Sequence, residues 1–447
     1  MNSRKITLEI LNQINKGSYS NILLDNYLVK IDDRRDRALI TELVYGVLRL
    51  QNRLDYIISQ FSRMPLAKID LPVLHALRLG IYQILYLDRI PERAAVNETV
   101  NAIKGIVNRG AVGFVNGLLR NLIRKKQFIE FPDPEKEQKS YLVNYLSHPE
   151  WLVEYWLDLY GLKKTTELLK YNNEAADLTI RINTLKFNIE DFTEIYQKNN
   201  IDLTATYIPG LYIVNNSRGV ENLPLYDEGG FFVQGPAAAA AGYIVNPSPG
   251  MRILDMAAAP GGKTTHLAEL MKNSGEIIAL DLYDRKLSFI QENCRKMGID
   301  IVKTYNEDAT HFSDNSRELF DIILLDAPCS GLGLIQQKPE IRWNKSYSDI
   351  KKLTKIQFEM MENAFRLLKP GGKLIYSTCT LTKEENEDNI YKFLNKHNDN
   401  LSVVDLKNEL KRYKFEGLNF INDLGFAEFF PPDSKTEGFF VGKIIKI

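Results

Sequence analysis

The chain has three cysteines, Cys294, Cys329 and Cys379. Two of them stand where a thiol could react. Cys329 lies in Asp326-Ala-Pro-Cys329-Ser330-Gly331, directly after the apolar run FDIILLD (320–326). Cys379 lies in Ser377-Thr378-Cys379-Thr380, at the end of KLIYST (373–378). Short apolar runs bounded by turn residues read as buried strands, so both thiols are expected in polar loops at strand ends. Cys294, within ENCRKMG, sits in a helical pattern and reads as a small core residue. So few cysteines exclude a disulfide-built scaffold.

A second cluster surrounds the turn MAAAPGGK. The strand MRILD (251–255) runs into Ala257, Ala258, Ala259, Pro260, Gly261, Gly262 and Lys263. Small residues let the backbone turn sharply and let a ligand approach closely. The helix that starts near Lys263 would point its first amides at that ligand. Two nucleotide classes fit. Ala257-x4-Gly262-Lys263-Thr264 lacks only the first glycine of a P-loop, with Asp326 as a magnesium-side acid. Against that stand four carboxylates, Asp255, Asp281, Asp308 and Asp326, each at or just after the end of a successive strand. Such a row repels a triphosphate and suits a ligand with a cationic head and a ribose. S-adenosyl-L-methionine carries an ammonium, a sulfonium and a ribose, and charge favours it over ATP. Capping of the following helices accounts for any one aspartate, but poorly for four.

A thiolate beside a methyl donor suggests one reaction. Carbon-5 of a pyrimidine is a poor nucleophile. Addition of a thiolate to carbon-6 makes an enamine whose carbon-5 can attack a sulfonium methyl. A carboxylic acid near ring N3 would stabilise the developing charge, and Asp326 is placed for this. The base must leave its stack to be reached.

The elements that position these residues follow from periodicity. From Pro249 onward the rhythm is strand, loop, helix, repeated. It implies an open, mostly parallel sheet covered on both faces, closed by an antiparallel strand within AEFF…GFFVGKIIKI. Residues 1 to about 128 read as all helix, with stripes such as Ile40, Leu43, Val44, Val47 and Leu48. FPDPEKEQKS (131–140) reads as a linker, and a further helix runs from His148 to about Asn172. TIRIN (179–183), LYIV (211–214) and FFV (231–233) read as strands, with a helix over 189–198, giving a small α+β insert.

Composition sets the bounds. The chain has 447 residues, 44% hydrophobic and 26% charged, which excludes wholesale disorder and suits two to four domains. No apolar stretch is long enough to span a membrane, and the N-terminus carries no signal-peptide pattern, so a cytoplasmic location is expected. Net charge is zero, yet residues 1–130 hold 20 Lys/Arg against 12 Asp/Glu. This asymmetry points to a polyanion at one end, or to a solvated helical surface. Arg34, Arg35, Arg37, Arg120, Arg124, Lys125 and Lys126 are the candidate phosphate contacts. Trp343, in PEIRWN, is a candidate for base stacking or for packing. The scattered histidines give no metal-ligand spacing, and none is expected to hold a metal.

DMAAAPGGKTT, LLDAPCSG, YSTCTLTKEEN and EGFFVGKI resemble the RNA cytosine-5 methyltransferases over about residues 230–447. The resemblance implies a Rossmann-like class I domain with a mostly parallel seven-stranded sheet and S-adenosyl-L-methionine as cofactor. It implies Cys379 as nucleophile, Cys329 in resolving the covalent adduct and Asp326 at N3. Ala257 to Lys263, Asp281, Asp308 and Asp326 would contact the cofactor. Ala257 replaces a cysteine frequent in the family, and VQGPAAAAA departs from the usual VQD, which leaves any role for an acid there open. RAAVNETVNAIKG (93–105) and FVNGLLRN (114–121) resemble the all-helical RNA-binding domain of the NusB family. SHPEWLVEYW (147–156) resembles the start of an intermediate domain in one subfamily.

The implied organisation is a NusB-like domain (1–130), a linker (131–147), an intermediate α+β RNA-binding domain (148–235) and a catalytic domain (236–447). The implied partner is 16S rRNA, free or in an early assembly particle, met by a monomer. Besides an RNA cytosine-5 methyltransferase acting on another rRNA or tRNA site, a P-loop NTPase and a non-catalytic RNA-binding assembly protein are the alternatives. Intact Cys329, Cys379 and Asp326 argue against the last of these.

Overall fold

The computed structural model describes residues 2–216, 219–314, 318–410, 418–421 and 425–447. It divides into two units: residues 1–175 with 335–345, and residues 176–334 with 346–447.

The first unit is helical. Asn2, Asp33 and Asn108 cap the helices Ser3–Ile14, Arg34–Arg49 and Arg109–Lys125 by accepting first-turn amides. The helix Leu71–Tyr86 runs through its middle, buried from Val73 to Ile84. The polar residues that interrupt this helix's apolar pattern are buried and mostly paired. Arg78 meets Asp55 at 2.6 Å, and Gln83 bonds Thr99 and Arg4. Burial, with Arg78 adding to it, pushes the His75 ring down to about 3, so it stays neutral. The helix Glu150–Tyr171 belongs to this unit and breaks at Gly161.

Residues 335–345 also belong to it, although the chain on either side lies in the second unit. Glu340 is fully buried, and its Oε1 accepts the Ser20 amide at 2.9 Å and the Ser20 hydroxyl at 2.8 Å. It thereby caps the helix Ser20–Leu28, which has no side-chain cap of its own. Arg342 is fully buried, and among the described residues no carboxylate is bonded to it. Its guanidinium donates to the carbonyls of Ser147 (2.9 Å), Asn172 (3.0 Å) and Arg49 (3.3 Å) and to Asn173 Oδ1 (2.9 Å). Arg49 and Asn172 end helices, so the negative ends of two helix dipoles meet the cation. Trp343 donates its indole N–H to Leu48 O at 2.7 Å, so it is a packing residue here.

In the second unit, β1 (Thr179–Ile182), β2 (Leu203–Ala205), β3 (Leu211–Val214) and β4 (Phe231–Val233) form an antiparallel sheet in the order β2-β3-β1-β4. The helix Ile189–Lys198 packs Phe192 and Tyr196 into its core. A larger sheet follows, built from β5 (Arg252–Asp255), β6 (Glu276–Leu280), β7 (Val302–Tyr305), β8 (Phe320–Asp326), β9 (Leu368–Thr378), β10 (Leu401–Val403), β11 (Leu418–Ile421), β12 (Phe426–Phe429) and β13 (Phe439–Lys446). Its order is β11-β12-β13-β9-β8-β5-β6-β7, with β10 beside β13. Strands β5 to β9 are parallel, and β13 is antiparallel to β9.

Alternation sends Ile253, Ile277, Ile322, Leu324 and Ile375 to one face, and Leu254, Ile278, Leu280, Ile323 and Leu374 to the other. Both sets are buried, as a doubly covered sheet requires. Seven strands correspond to the expected sheet; β10 and β11 are short additions. The expected strand at 373–378 starts earlier, at Leu368.

Arg342→Met is expected to destabilise the chain by about 3 kcal/mol, because several buried carbonyls lose a charged donor. Thermal unfolding of wild type and variant, with Arg342→Lys recovering part of the loss, checks this.

Candidate active site

Parallel strands deliver their C-terminal ends to one edge, and the candidate residues follow from that. Asp255 ends β5, Asp281 follows β6, Asp308 lies beyond β7 and Asp326 ends β8. Cys379 follows β9, and Cys329 lies three residues past β8.

The two sulfurs meet. Cys329 Sγ and Cys379 Sγ are 3.0 Å apart, both as free thiols. The hydrogen bond with Cys379 and burial together push the Cys329 thiol well up, so Cys329 is held protonated. Beside them Lys263 Nζ contacts Asp326 Oδ2 at 2.6 Å, and Ser377 Oγ donates to Asp326 Oδ1 at 2.8 Å. Burial works against the Lys263 ammonium, but Asp326 overrides it and raises the group, with Cys379 and Asp255 adding to the effect. The chain thus keeps a partly buried cation within electrostatic reach of the Cys379 sulfur.

A buried carboxylate fixes the two cysteine loops. Glu385 accepts the Ser330 amide (2.8 Å) and hydroxyl (2.5 Å), the Thr382 hydroxyl (2.7 Å) and the Gln357 amide (3.0 Å). Ser330 and Thr380 also share a hydroxyl contact of 2.7 Å. One residue after each cysteine is therefore tied into the same network. Sequence reasoning gave Glu385 no role. Its only signal was an acid in the loop TKEEN, and its partners are spread over residues 330–382.

The MAAAPGGK turn closes through Ala258 N–H to Leu280 O (2.8 Å) and Gly261 N–H to Ala258 O (2.7 Å). Gly261 has φ +100°, a region that other residues avoid. It caps the helix Gly262–Leu270 without any side-chain acceptor, so the first-turn amides have none from the cap. Thr264 Oγ1 donates to Asp255 Oδ2 at 2.8 Å, while the buried Asp255 Oδ1 has no hydrogen-bond partner among the described residues. Asp281 is nearly buried and accepts the Tyr283 amide, with Lys286 at 3.5 Å. Asp308 is exposed, and its Oδ1 takes the Thr310 amide and hydroxyl. The structure thus brings together Cys329, Cys379, Asp326, Lys263 and Asp255, whereas Asp281 and Asp308 bond within their own loops. Small residues, an uncapped helix start and carboxylates at successive strand ends fit a ligand with a cationic head and a ribose. Lys263 and Thr264, committed to Asp326 and Asp255, do not form a triphosphate cradle.

This turn is anchored from the small sheet. Arg181 and Glu269 form a buried pair at 2.6 Å. Arg181 also donates to Gln234 Oε1, to Gly262 O at 3.0 Å and to Thr265 Oγ1 at 3.1 Å. The VQG departure is explained nearby. Gly235 caps the helix Pro236–Val245 without a side chain, and Glu437 Oε1 accepts the Ala238 amide at 3.0 Å instead. A Cβ on Gly235 would lie 2.3 Å from that oxygen.

The basic candidates lie on the first unit. Arg34, Arg35, Arg120, Arg124 and Lys125 are exposed, Lys126 pairs with Glu92, and Arg37 bonds Ile31 O. Among the described residues no group of three or more His, Cys, Asp or Glu is placed to hold a metal ion, and no helix is long and apolar enough to cross a membrane.

Burial pushes the Asp255 carboxyl up to about 7 from an ordinary 3.8. Across that window the folded chain holds a proton that the unfolded chain releases, so stability falls as pH rises from about 4 to 7 and then levels. Asp255→Asn keeps an acceptor for Thr264 and removes the titration. Its stability relative to wild type is expected to grow by a few kcal/mol over that window. Urea denaturation across pH checks this, and parallel profiles would refute it.

Residues 242–445 match the family described as 16S rRNA methyltransferase RsmB/F, residues 1–124 match the NusB family, and residues 148–217 match a ferredoxin-like domain of RsmF/B-like methyltransferases. The "Probable ribosomal RNA small subunit methyltransferase B" of Bacillus subtilis (strain 168) is 33% identical over 98% of this chain and 97% of its own. The ribosomal RNA small subunit methyltransferase B of Photorhabdus laumondii is 32% identical over 89% of this chain and 91% of its own. Among solved structures, PH0851 superposes with a TM-score of 0.84 at 29% identity, covering 100% of this chain and 99% of its own. NSun6 from Pyrococcus horikoshii with SFG gives 0.59 at 25% identity, over 67% of this chain and 98% of its own. The chain belongs to the RsmB/F family of 16S rRNA methyltransferases and is an S-adenosyl-L-methionine-dependent RNA methyltransferase.

Proposed function

We propose that this chain methylates carbon-5 of one cytosine of 16S rRNA, the one at position 967, through a covalent bond from Cys379 to carbon-6. The observation that carries this reading is the 3.0 Å approach of the two thiols beside the Lys263–Asp326 pair.

Each residue has a part. Cys379, with the Lys263 ammonium nearby, adds as thiolate to carbon-6, and the displaced electron pair moves onto carbon-5 and toward N3. Asp326, held as the carboxylate partner of Lys263, assists at N3: it accepts the N–H that forms as the ring nitrogen takes up a proton from solvent, and so stabilises the charge that develops there. S-adenosyl-L-methionine, when bound, supplies an electrophilic methyl group that such a carbon-5 accepts. Ala257, Ala258, Ala259, Pro260, Gly261, Gly262 and Lys263 would hold it, with Asp281, Asp308 and Asp326. In the resolving step the carbon-5 proton passes to water, its electron pair re-forms the carbon-5–carbon-6 double bond, and the carbon-6–sulfur pair leaves on Cys379, to which Cys329, kept as a thiol, gives its proton. Glu385 keeps both cysteine loops in place. The basic exposed residues of the helical unit support the rRNA as partner, and a monomer suffices for all of these roles.

Radiolabelled methyl transfer to unmodified 16S rRNA tests the proposal. Label is expected as 5-methylcytosine at one site with wild type, and at least about 10³-fold less with Cys379→Ala, whose cofactor affinity stays near wild type. Cys329→Ala is expected to accumulate a protein–RNA adduct that survives denaturation. Normal turnover by Cys379→Ala would overturn the assignment of the nucleophile.

A further inference from the structure

The helical unit contains a cavity of about 360 Å³ lined by residues of that unit alone, among them Arg49, Arg53, Tyr82, Tyr86, Lys170 and Glu174. Its volume lies in the range of small-ligand sites. Its charge is unusual. Arg49, Arg53 and Lys170 face it, and the buried Arg342 bonds to the Arg49 carbonyl behind it. Glu174 is the one carboxylate of the lining, and nearby Glu42 accepts the Tyr82 hydroxyl. Arg53 donates to Tyr145 O at 2.6 Å. Arg49 finds no acceptor for its side chain among the described residues, and its Nε is buried without a partner. Partial burial disfavours the Arg49 guanidinium, Tyr82 and Glu42 offset part of that electrostatically without bonding it, and an anion in the cavity would offset more. Tyr82 and Tyr86 stack with centroids 5.4 Å apart and form an aromatic wall.

We propose that this cavity is a binding site for one phosphate-bearing nucleotide, supplied by the RNA strand away from the methylated base. Arg49 and Lys170 take the phosphate, and the tyrosine wall meets the ribose or base. The source of the nucleotide rests on 16S rRNA being the substrate, while the phosphate chemistry of the cavity does not. None of the basic residues singled out in the sequence lines it.

The test uses the full chain, with Arg49→Gln, Arg49→Lys and Lys170→Ala. Lys170 is exposed, so its variant keeps the fold whatever becomes of Arg49→Gln. Affinity for a labelled 16S rRNA fragment is measured over a salt series, and cytidine 5′-monophosphate is titrated separately. Arg49→Gln and Lys170→Ala are each expected to bind the RNA roughly three- to ten-fold more weakly. Each is expected to lower the slope of log affinity against log salt by about 0.7 to 0.9, as one lost phosphate contact requires. Arg49→Lys restores the slope. Unchanged RNA affinity and slope in both variants would overturn the RNA source. If cytidine 5′-monophosphate also bound wild type and variants alike, or not at all, the site itself would be refuted. If it bound wild type but not Arg49→Gln while RNA affinity held, the cavity would take a free nucleotide. If wild type bound no RNA, the substrate reading would fall, and the nucleotide titration alone would decide the cavity.

Discussion

The meeting of the two thiols depends on one buried carboxylate. Glu385 receives the amide and hydroxyl of Ser330 and the hydroxyl of Thr382, so the loops leaving β8 and β9 share an anchor. Loops at the ends of neighbouring strands need not converge. Here they do because a charge excluded from water demands several donors, and both loops supply them. The 3.0 Å spacing of the two sulfurs is the consequence.

The same demand shapes the charges around the thiols. Lys263 is drawn to Asp326, and Asp255 to the Thr264 hydroxyl, so the turn that would hold the cofactor is tied to the sheet edge through its own side chains. Arg181 fastens it from the other side, through Glu269 and the Gly262 carbonyl. Acid, cation and thiol are held by separate contacts, and each keeps a distinct protonation tendency. Burial raises Asp255, Asp326 raises Lys263, and the neighbouring sulfur raises Cys329. Such divergence within a few ångströms suits acid–base chemistry at one pH.

What could be read in the sequence was local. FDIILLD, LYIV and FFV emerged as strands at their expected bounds because alternation and flanking turn residues are visible in a short window. The cysteines could be placed at strand ends for the same reason. Strands β2, β10 and β11 escaped notice, since three or four residues at a sheet margin carry too little pattern. Long-range partners were equally invisible. Nothing near Glu385 announces Ser330, nothing near Lys263 announces Asp326, and nothing near Gly235 announces that Glu437 caps its helix. Trp343 looked as suited to a base as to a core until Leu48, far away in the chain, supplied its acceptor.

The excursion of residues 335–345 into the helical unit bears on how the chain is made. Glu340 caps a helix that begins at Ser20, and Arg342 gathers carbonyls from Arg49, Ser147 and Asn172. A ribosome delivers those partners long before it delivers Arg342. The amino-terminal unit can collapse around its apolar helices as it emerges, yet its last polar groups stay unmatched through the synthesis of some 160 further residues. Completion of the first unit to be made therefore waits on a segment encoded just after Cys329, and a chain stalled before that segment would carry a helical unit with a hole in it.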